Sequence, residues 1–401
     1  MANKIQTPKG FRDFLPADVA SRKFVLEKIK AVLEKFGFEP LETSAVEFAE
    51  TLRGKYGDEE KLIFEFTDRG GREVALRFDQ TVPLARIVAT NPDLPKPFKR
   101  YQIQPVWRAE NPQKGRFREF LQIDFDTVGE YSILTDAEIV AATIATTKEV
   151  GFKDFTLKIN DRDTFRGMSV EEIRIIDKLG KIGEMGVIEQ LQRTGYGTSQ
   201  AKAILRKIKN SPPTKNIEKL FEYLKEFKIE TDKYAFDPTL ARGLDYYTGV
   251  IFELEVEGYS GGSIGGGGRY DDLIGRFTNG KIPATGFSFG FDRLIEAAEE
   301  ANLLPDYTPS TRVFVTILKE NLLKDSLALV SKLRNRGIAA EIALDPSEKL
   351  DKQLKYADNK QIPYAAIIGP EEAKTDTVTL KDLSTGEQTR LKESELIKRL
   401  S

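Results

Sequence analysis

Residues 106–126 read V-W-R-A-E-N-P-Q-K-G-R-F-R-E-F-L-Q-I-D-F-D. Two apolar-alternating runs, 101–107 and 120–125, flank a loop holding Asn111, Pro112 and Gly115, the pattern of two antiparallel strands joined by a long turn. Arg108 and Glu110 fall two apart and share a face; Gln122, Asp124 and Asp126 do the same on the return strand. Lys114, Arg116 and Arg118 crowd the tip. The plainer alternative is an edge hairpin kept soluble by its charges. Trp107, Phe120 and Phe125 argue against it, because they call for one buried face. Buried strands that carry Arg108, Glu110 and Asp126 must then have those charges satisfied. A ligand pocket meets that need: guanidinium groups hold a polyanion while carboxylates and amides read a small polar molecule beside it.

Composition narrows the chemistry further. The chain has neither histidine nor cysteine. That excludes Ser-His triads, thiol nucleophiles, disulfides and the usual zinc ligands. Catalysis must rest on Arg, Lys, carboxylates, Tyr, a metal ion, or positioning. With 401 residues, 40% hydrophobic and 31% charged, the chain is long enough for two or more folded domains. No apolar run is long enough to span a membrane and residues 1–9 lack a signal core, so a reducing cytoplasm is expected. A net charge of −2 hides local asymmetry, so nucleic-acid contact has to be argued from patches.

The elements that must position these residues follow from periodicity. Residues 17–36 form an amphipathic helix with Val25, Ile29, Val32, Leu33 and Phe36 on one stripe and Gly37 as its stop. Residues 62–66 and 73–78 read as strands around the turn Asp68-Arg69-Gly70-Gly71, and a helix over 80–90 tolerates Pro83 in its first turn. After a helix over about 135–150 the pattern changes. Residues 153–231 read as a mainly helical insertion, with breaks expected at Gly180, Gly183, Gly186 and Gly195–Gly197. Lys202, Arg206, Lys207 and Lys209 make one side of it basic, which fits a solvated face or RNA contact. The sheet resumes at Tyr234, and a glycine cluster at 261–268 suits close backbone approach to a flat ligand better than a phosphate loop. Arg269-Tyr270-Asp271 opens a helix in this reading. Residues 287–290 turn into a helix with Arg293 in its first turn. A linker over 303–310 precedes alternating strands and helices over 311–401, an α/β domain with a largely parallel sheet.

These residues, in this order, resemble the class II aminoacyl-tRNA synthetases, and within them the histidyl-tRNA synthetase family, over nearly the whole chain. Pro8-Lys9-Gly10-Phe11-Arg12-Asp13 resembles the opening signature, residues up to Val46 the first class motif, Arg108–Asp126 the second and Gly286–Leu294 the third. The more specific stretches are Arg242–Tyr247 and Gly266-Gly267-Gly268-Arg269-Tyr270-Asp271. Residues 76–83 are closer to the eukaryotic and archaeal branch, and Lys352–Asp358 matches the anticodon-binding domain. Ser44, Ala109, Leu121 and Asp292 depart from the usual residues. The resemblance implies an α+β catalytic domain on a mostly antiparallel sheet (1–152 and 232–302), the helical insertion, and a C-terminal α/β anticodon-binding domain.

It also implies a reaction: activation of histidine with ATP, then transfer to tRNA. Arg108 and Arg242 would grip the carboxylate and the α-phosphate. Glu110, Arg116, Phe120 and Arg293 would hold ATP, the adenine lying between Phe120 and Arg293. Asp79, Gln80, Thr81 and Gln122 would surround the α-amino group, and Asp126, Tyr246, Tyr247 and Tyr270 the imidazole, with Asp126 left unpaired by other amino acids. Gln113, Lys114 and Arg118 would meet the tRNA acceptor end. Mg²⁺ is expected on the phosphates with no dedicated protein cage; a homodimer is expected, and neither DNA nor a membrane. A paralogue that kept the fold and lost the reaction, serving as a regulatory or tRNA-sensing subunit, is the alternative. With no imidazole in the protein, any titration near pH 6–7 is expected to belong to the substrate.

Overall fold

The computed structural model describes residues 5–241, 246–278 and 280–400, the side chains of residues 57 and 58 apart. Arg242 and the following three residues of its motif therefore lie outside the described residues. The chain divides into two units, Met1–Phe14 with Arg22–Leu304, and Leu15–Ser21 with Pro305–Ser401.

In the first unit the strands are β1 Glu39–Pro40, β2 Val46–Phe48, β3 Glu65–Thr67, β4 Glu73–Leu76, β5 Phe98–Trp107, β6 Glu119–Val128, β7 Phe155–Asp161, β8 Tyr234–Phe236, β9 Val250–Val256, β10 Gly265–Arg269 and β11 Ala284–Gly290. Among the described residues eight of them make one sheet in the order β1-β5-β6-β11-β10-β9-β7-β8. Only its outer pairs, β1–β5 and β7–β8, are parallel. The sheet is thus mostly antiparallel, as expected for the α+β reading, while β2, β4 and β3 form a small antiparallel sheet of their own.

Period-2 alternation decides what each face of the large sheet carries. Tyr101, Ile123 and Phe125 on β5 and β6 share a face with Phe287 and Phe289 on β11 and Phe252 and Leu254 on β9. That face packs under the helices Pro16–Lys35, through Val25, Ile29 and Leu33, and Ile133–Val150, through Ile139, Val140 and Ile144. Each fully buried Phe or Ile stabilises the fold by about 1.5–3 kcal/mol, so this layer holds the sheet rigid. The opposite face of β5 and β6 is polar, and the site is built on it.

The strand β7 and the helix Lys215–Glu226 share this main core through Leu157, Ile159, Ile217, Leu220 and Leu224. The helices between them close over a separate apolar cluster that includes Phe165, Ile176, Leu191 and Leu205. Two of the expected glycine breaks do not occur there. Gly180 and Gly186 lie within the helix Leu179–Arg193, and among its residues only Gly183, at φ 68°, leaves helical geometry. Packing of Val187, Ile188 and Leu191 outweighs the modest helix penalty of a glycine. Likewise Arg269-Tyr270-Asp271 opens no helix: Arg269 ends β10, and a single short 3₁₀ turn, Ile274–Arg276, follows.

The second unit has its own core. Strands β12 Val313–Val315, β13 Ala340–Ile342 and β14 Tyr364–Ile367 run parallel through the helices Leu323–Asn335 and Leu350–Asn359. The hairpin of β15 Thr377–Asp382 and β16 Gln388–Lys392 extends the same sheet antiparallel, so it is mixed rather than largely parallel.

Candidate active site

The β5–β6 register sets Arg100 opposite Asp126, Gln102 opposite Asp124, and Gln104 opposite Gln122. On the other side of β6, Gly286, Ser288 and Gly290 of β11 face Asp126, Asp124 and Gln122 in turn. Two glycines of three leave a floor with little side chain on it. At Gly286 the bareness is required, since a Cβ there would stand 1.9 Å from Asp126 Oδ1. Asp126 therefore lies over the bare backbone of β11 at Gly286.

Asp126 is 4% exposed and its charge is already answered. Arg100, fully buried, reaches it at 2.8 Å, and the Tyr270 hydroxyl donates to its other oxygen. Burial pushes the Asp126 carboxyl up, and Arg100 and then Tyr270 oppose this. The preference for a ligand as the group that satisfies Asp126 is corrected here: its strand partner Arg100 already pairs with it. Arg100 went unnoticed in the sequence because it lies just before the alternating run 101–107, and its pairing with Asp126 depends on strand register.

Beside this row stands the loop before the helix Thr81–Thr90. Asp79, 3% exposed, accepts from Tyr56 Oη at 3.0 Å and from the Val82 amide at 3.0 Å through Oδ1, while Oδ2 meets no protein donor. Its carboxyl is pushed up by burial, and the Val82 amide, Arg108 and Tyr56 counter that. Gln80 donates through its amide nitrogen to the Gln104 and Gln122 carbonyls, at 2.8 and 3.2 Å, so that nitrogen holds strands rather than facing a ligand. Thr81 bonds to Tyr246, whose hydroxyl burial pushes well above its usual range. Tyr246, Tyr247 and Tyr270 are all buried and form one aromatic wall, with ring centroids 4.9 Å apart for the first two and 6.0 Å for Tyr246 and Tyr270.

Gln122 Nε2 donates to Ser288 Oγ at 2.7 Å, which turns Oε1 away, and that oxygen has no protein donor. Arg108 donates through Nε to the Phe78 carbonyl at 3.2 Å. Its guanidinium carbon lies 4.4 Å from the Phe78 ring centre and 5.2 Å from that of Phe120. Among the described residues no carboxylate pairs with Arg108. Glu59, a residue the sequence reading missed, faces Arg108, Glu110 and Arg116 electrostatically, and burial pushes its carboxyl up. Asp124, 2% exposed, is pushed up to about 7 by burial, with Arg100 opposing and Asp126 adding to the shift. Composition gives no sign of this shift, because its cause is desolvation.

The hairpin tip is tied from several sides. Arg116 pairs with Glu110 at 3.2 Å, and Arg118 donates to the Glu110 carbonyl at 3.1 Å. Arg293 donates to the Gly115 and Ser263 carbonyls, both at 2.9 Å. Lys114 reaches Glu300 at 3.0 Å, a well-exposed pair of little energetic weight. Gln113 is exposed and bridges Arg116 through the backbone. Asp292, 4% exposed, accepts from Arg12 at 2.6 Å, Arg22 at 2.7 Å and the Leu121 amide at 3.1 Å. Arg12 in turn lies 3.2 Å from the Phe117 ring centre. The opening segment thus fastens the β6 end of the hairpin through Asp292.

A cation without an anion, set near buried acceptors without donors, is complementary to a zwitterion: a carboxylate for Arg108 and an ammonium for Asp79 and Gln122. The family model described as histidyl-tRNA synthetase matches residues 10–294, and the anticodon-binding-domain model matches residues 312–401. A histidine–tRNA ligase of Cytophaga hutchinsonii is 39% identical over 99% of both chains. The crystal structure of histidyl-tRNA synthetase from a Nostoc species superposes with a TM-score of 0.84 at 31% identity, covering 99% of each chain. A chain from Bacillus halodurans described as ATP phosphoribosyltransferase regulatory subunit/histidyl-tRNA synthetase shares the fold, with a TM-score of 0.72 at 24% identity over 88% of this chain and 96% of that one. On the strength of the family match over well over half its length, this chain belongs to the histidyl-tRNA synthetase family.

Proposed function

We propose that the chain is a histidine–tRNA ligase: it activates L-histidine with ATP to histidyl-adenylate and transfers the histidyl group to the 3′ end of tRNA(His). The observation that carries this reading is the pairing of an anion-seeking Arg108 with the donor-seeking Asp79 and Gln122 beside the buried wall of Tyr246, Tyr247 and Tyr270. The carboxylate of histidine is already a nucleophile, so no protein base is needed, which suits a chain without histidine. Arg108 holds that carboxylate against the α-phosphate; a guanidinium does this with a planar fork that never loses its proton. Arg242 takes the opposite side of the phosphate by its match to the family motif. Holding the reactants in line lowers the barrier by on the order of 7–11 kcal/mol.

The adenine lies between Phe120 and Arg293, Glu110 meets its exocyclic amine, and Arg116 the distal phosphates. Tyr247 and Tyr270 line the imidazole slot, and Asp126, braced by Arg100, offers its acceptor edge. Mg²⁺ would be held by one or two carboxylates together with water and the substrate's phosphates. Glu59, within electrostatic reach of Arg108 and Arg116, would fit that donor set, and among the described residues no group of three stands ready as a cage. When bound, the ion neutralises charge on the phosphates. Gln113, Lys114 and Arg118 meet the acceptor end of tRNA, while residues 311–401 grip the anticodon. We divide the chain into a catalytic domain of residues 1–152 and 232–302, a helical insertion of 153–231 and the linker 303–310 before that domain. A cytoplasmic homodimer without membrane or DNA contact completes the proposal; among the described residues no helix is long and apolar enough to cross a membrane.

The regulatory alternative is disfavoured by the match over 99% of an aminoacylating relative's length, anticodon domain included. Charging of tRNA(His) transcript with labelled histidine tests the proposal. Acid-stable transfer of label that requires ATP is expected; binding of tRNA without transfer would establish the regulatory reading instead.

A further inference from the structure

Asp124 is the middle of three residues on one face of β6, between Gln122 and Asp126, and it is as buried as they are. Residues two apart on a strand stand about 7 Å from each other, so a ligand that spans Gln122 and Asp126 passes over Asp124. Its surroundings are polar on every side. From β5 it faces Arg100 and Gln102, from β11 Ser288, from the loop before Thr81 Arg77 and Asp79, and from the aromatic wall Tyr246. Arg100, the nearest guanidinium, is committed to Asp126 at 2.8 Å and touches only the Asp124 carbonyl, at 3.5 Å. Two carboxylates thus share one close cation. Ser288, whose oxygen accepts from Gln122, is left to donate to Asp124, while Asp124 Oδ1 meets no protein donor. Asp79 Oδ2, Gln80 Oε1 and Gln122 Oε1 likewise meet no protein donor, and Asp126 Oδ2 has only its ion pair with Arg100.

Resting on the function proposed above, we propose that Asp124 is a further carboxylate of the amino-acid pocket, receiving the substrate's ammonium group at Oδ1 and giving up its proton to solvent as that cation arrives. The step needs no other reactant: an O–H bond of the neutral acid breaks, the proton leaves to water or buffer, and the carboxylate accepts N–H donors from the ammonium. Burial holds the free Asp124 carboxyl well above the ordinary carboxylate range, against the pull of Arg100, and this provides the proton to be released. Ser288 acts as a positioning residue, fixing both the Gln122 amide and the free edge of Asp124.

Calorimetric titration of L-histidine into the full-length protein at pH 7, in phosphate and in Tris, counts protons released on binding. The wild type is expected to release measurably more protons than Asp124→Asn. Asparagine copies the shape of the neutral acid, so folding is preserved. In ATP–pyrophosphate exchange, Asp124→Asn is expected to raise the KM for histidine at least about tenfold, as loss of a bond to a charged group does, and to leave the KM for ATP within about twofold. Ser288→Ala removes a donor that favours the ionised acid, so its proton release at pH 7 should exceed the wild type's. Equal proton counts and equal histidine KM in wild type and Asp124→Asn would overturn the assignment. A wild type that neither binds nor activates histidine would instead sink the proposed function.

Discussion

A guanidinium with no water around it must find its counter-charge inside the protein, and Arg100 finds Asp126. Removing one member of such a pair leaves the other charged and alone. Asp126→Asn is therefore expected to lower unfolding stability by about 3–5 kcal/mol, measured by urea denaturation, beyond any loss of histidine binding. Asp124 carries a pH dependence whose sign follows from its folded value of about 7. Between the ordinary carboxylate range and 7 the folded chain holds a proton that the unfolded chain has lost. Its contribution is fully present below about pH 4 and disappears as pH rises through 7. Wild type should lose on the order of 2–4 kcal/mol relative to Asp124→Asn between pH 4.5 and 8, read as the difference in urea midpoints. Arg108→Lys keeps charge but not the fork. Exchange activity should fall about 10²–10³-fold, most of it in kcat, the range seen when one preorganised oxyanion donor is lost.

At the scale of elements, the site is one polar face of a β-hairpin laid beside a strand stripped of side chains. Gly286→Ala would press a methyl against Asp126, at a cost of about 1–3 kcal/mol in packing strain. The histidine KM should rise while the ATP KM holds, a split visible in exchange kinetics. The hairpin itself was legible in the sequence, since alternation around 101–107 and 120–125 announced both strands and put Gln122, Asp124 and Asp126 on one face. What alternation does not reveal is the neighbour across the gap. Arg100 became the partner of Asp126 through the β5–β6 register, and Ser288 that of Gln122 through β6–β11, where 166 residues separate the two in sequence. Asp292 shows the same limit: it reads as a departure from the family pattern, yet it joins Arg12, Arg22 and the Leu121 amide. Glycine breaks in the helical region failed for a related reason, because tertiary packing overrode local propensity at Gly180 and Gly186.

The whole molecule carries a net charge of only −2, so contact with a polyanion depends on local patches. Raising salt from 50 to 200 mM should weaken tRNA charging much more steeply than histidine activation, because counterion release affects only the tRNA step. Parallel salt titrations of aminoacylation and exchange would show whether the two slopes part. The two apolar cores in separate units, one around Phe125 and one around Leu333, make the division legible in the linker prolines Pro305 and Pro309.

In the function proposed, the site reads the zwitterion and ring of a single amino acid, and ATP–pyrophosphate exchange measured with each of the twenty amino acids in turn reads that selectivity without tRNA. Exchange with histidine at least about a hundredfold above every other amino acid, abolished by Arg108→Ala, is the expected result, since unpaired buried polar groups reject ligands that lack the matching edges. Absence of histidine-dependent exchange, or equal exchange with a second amino acid, would contradict it.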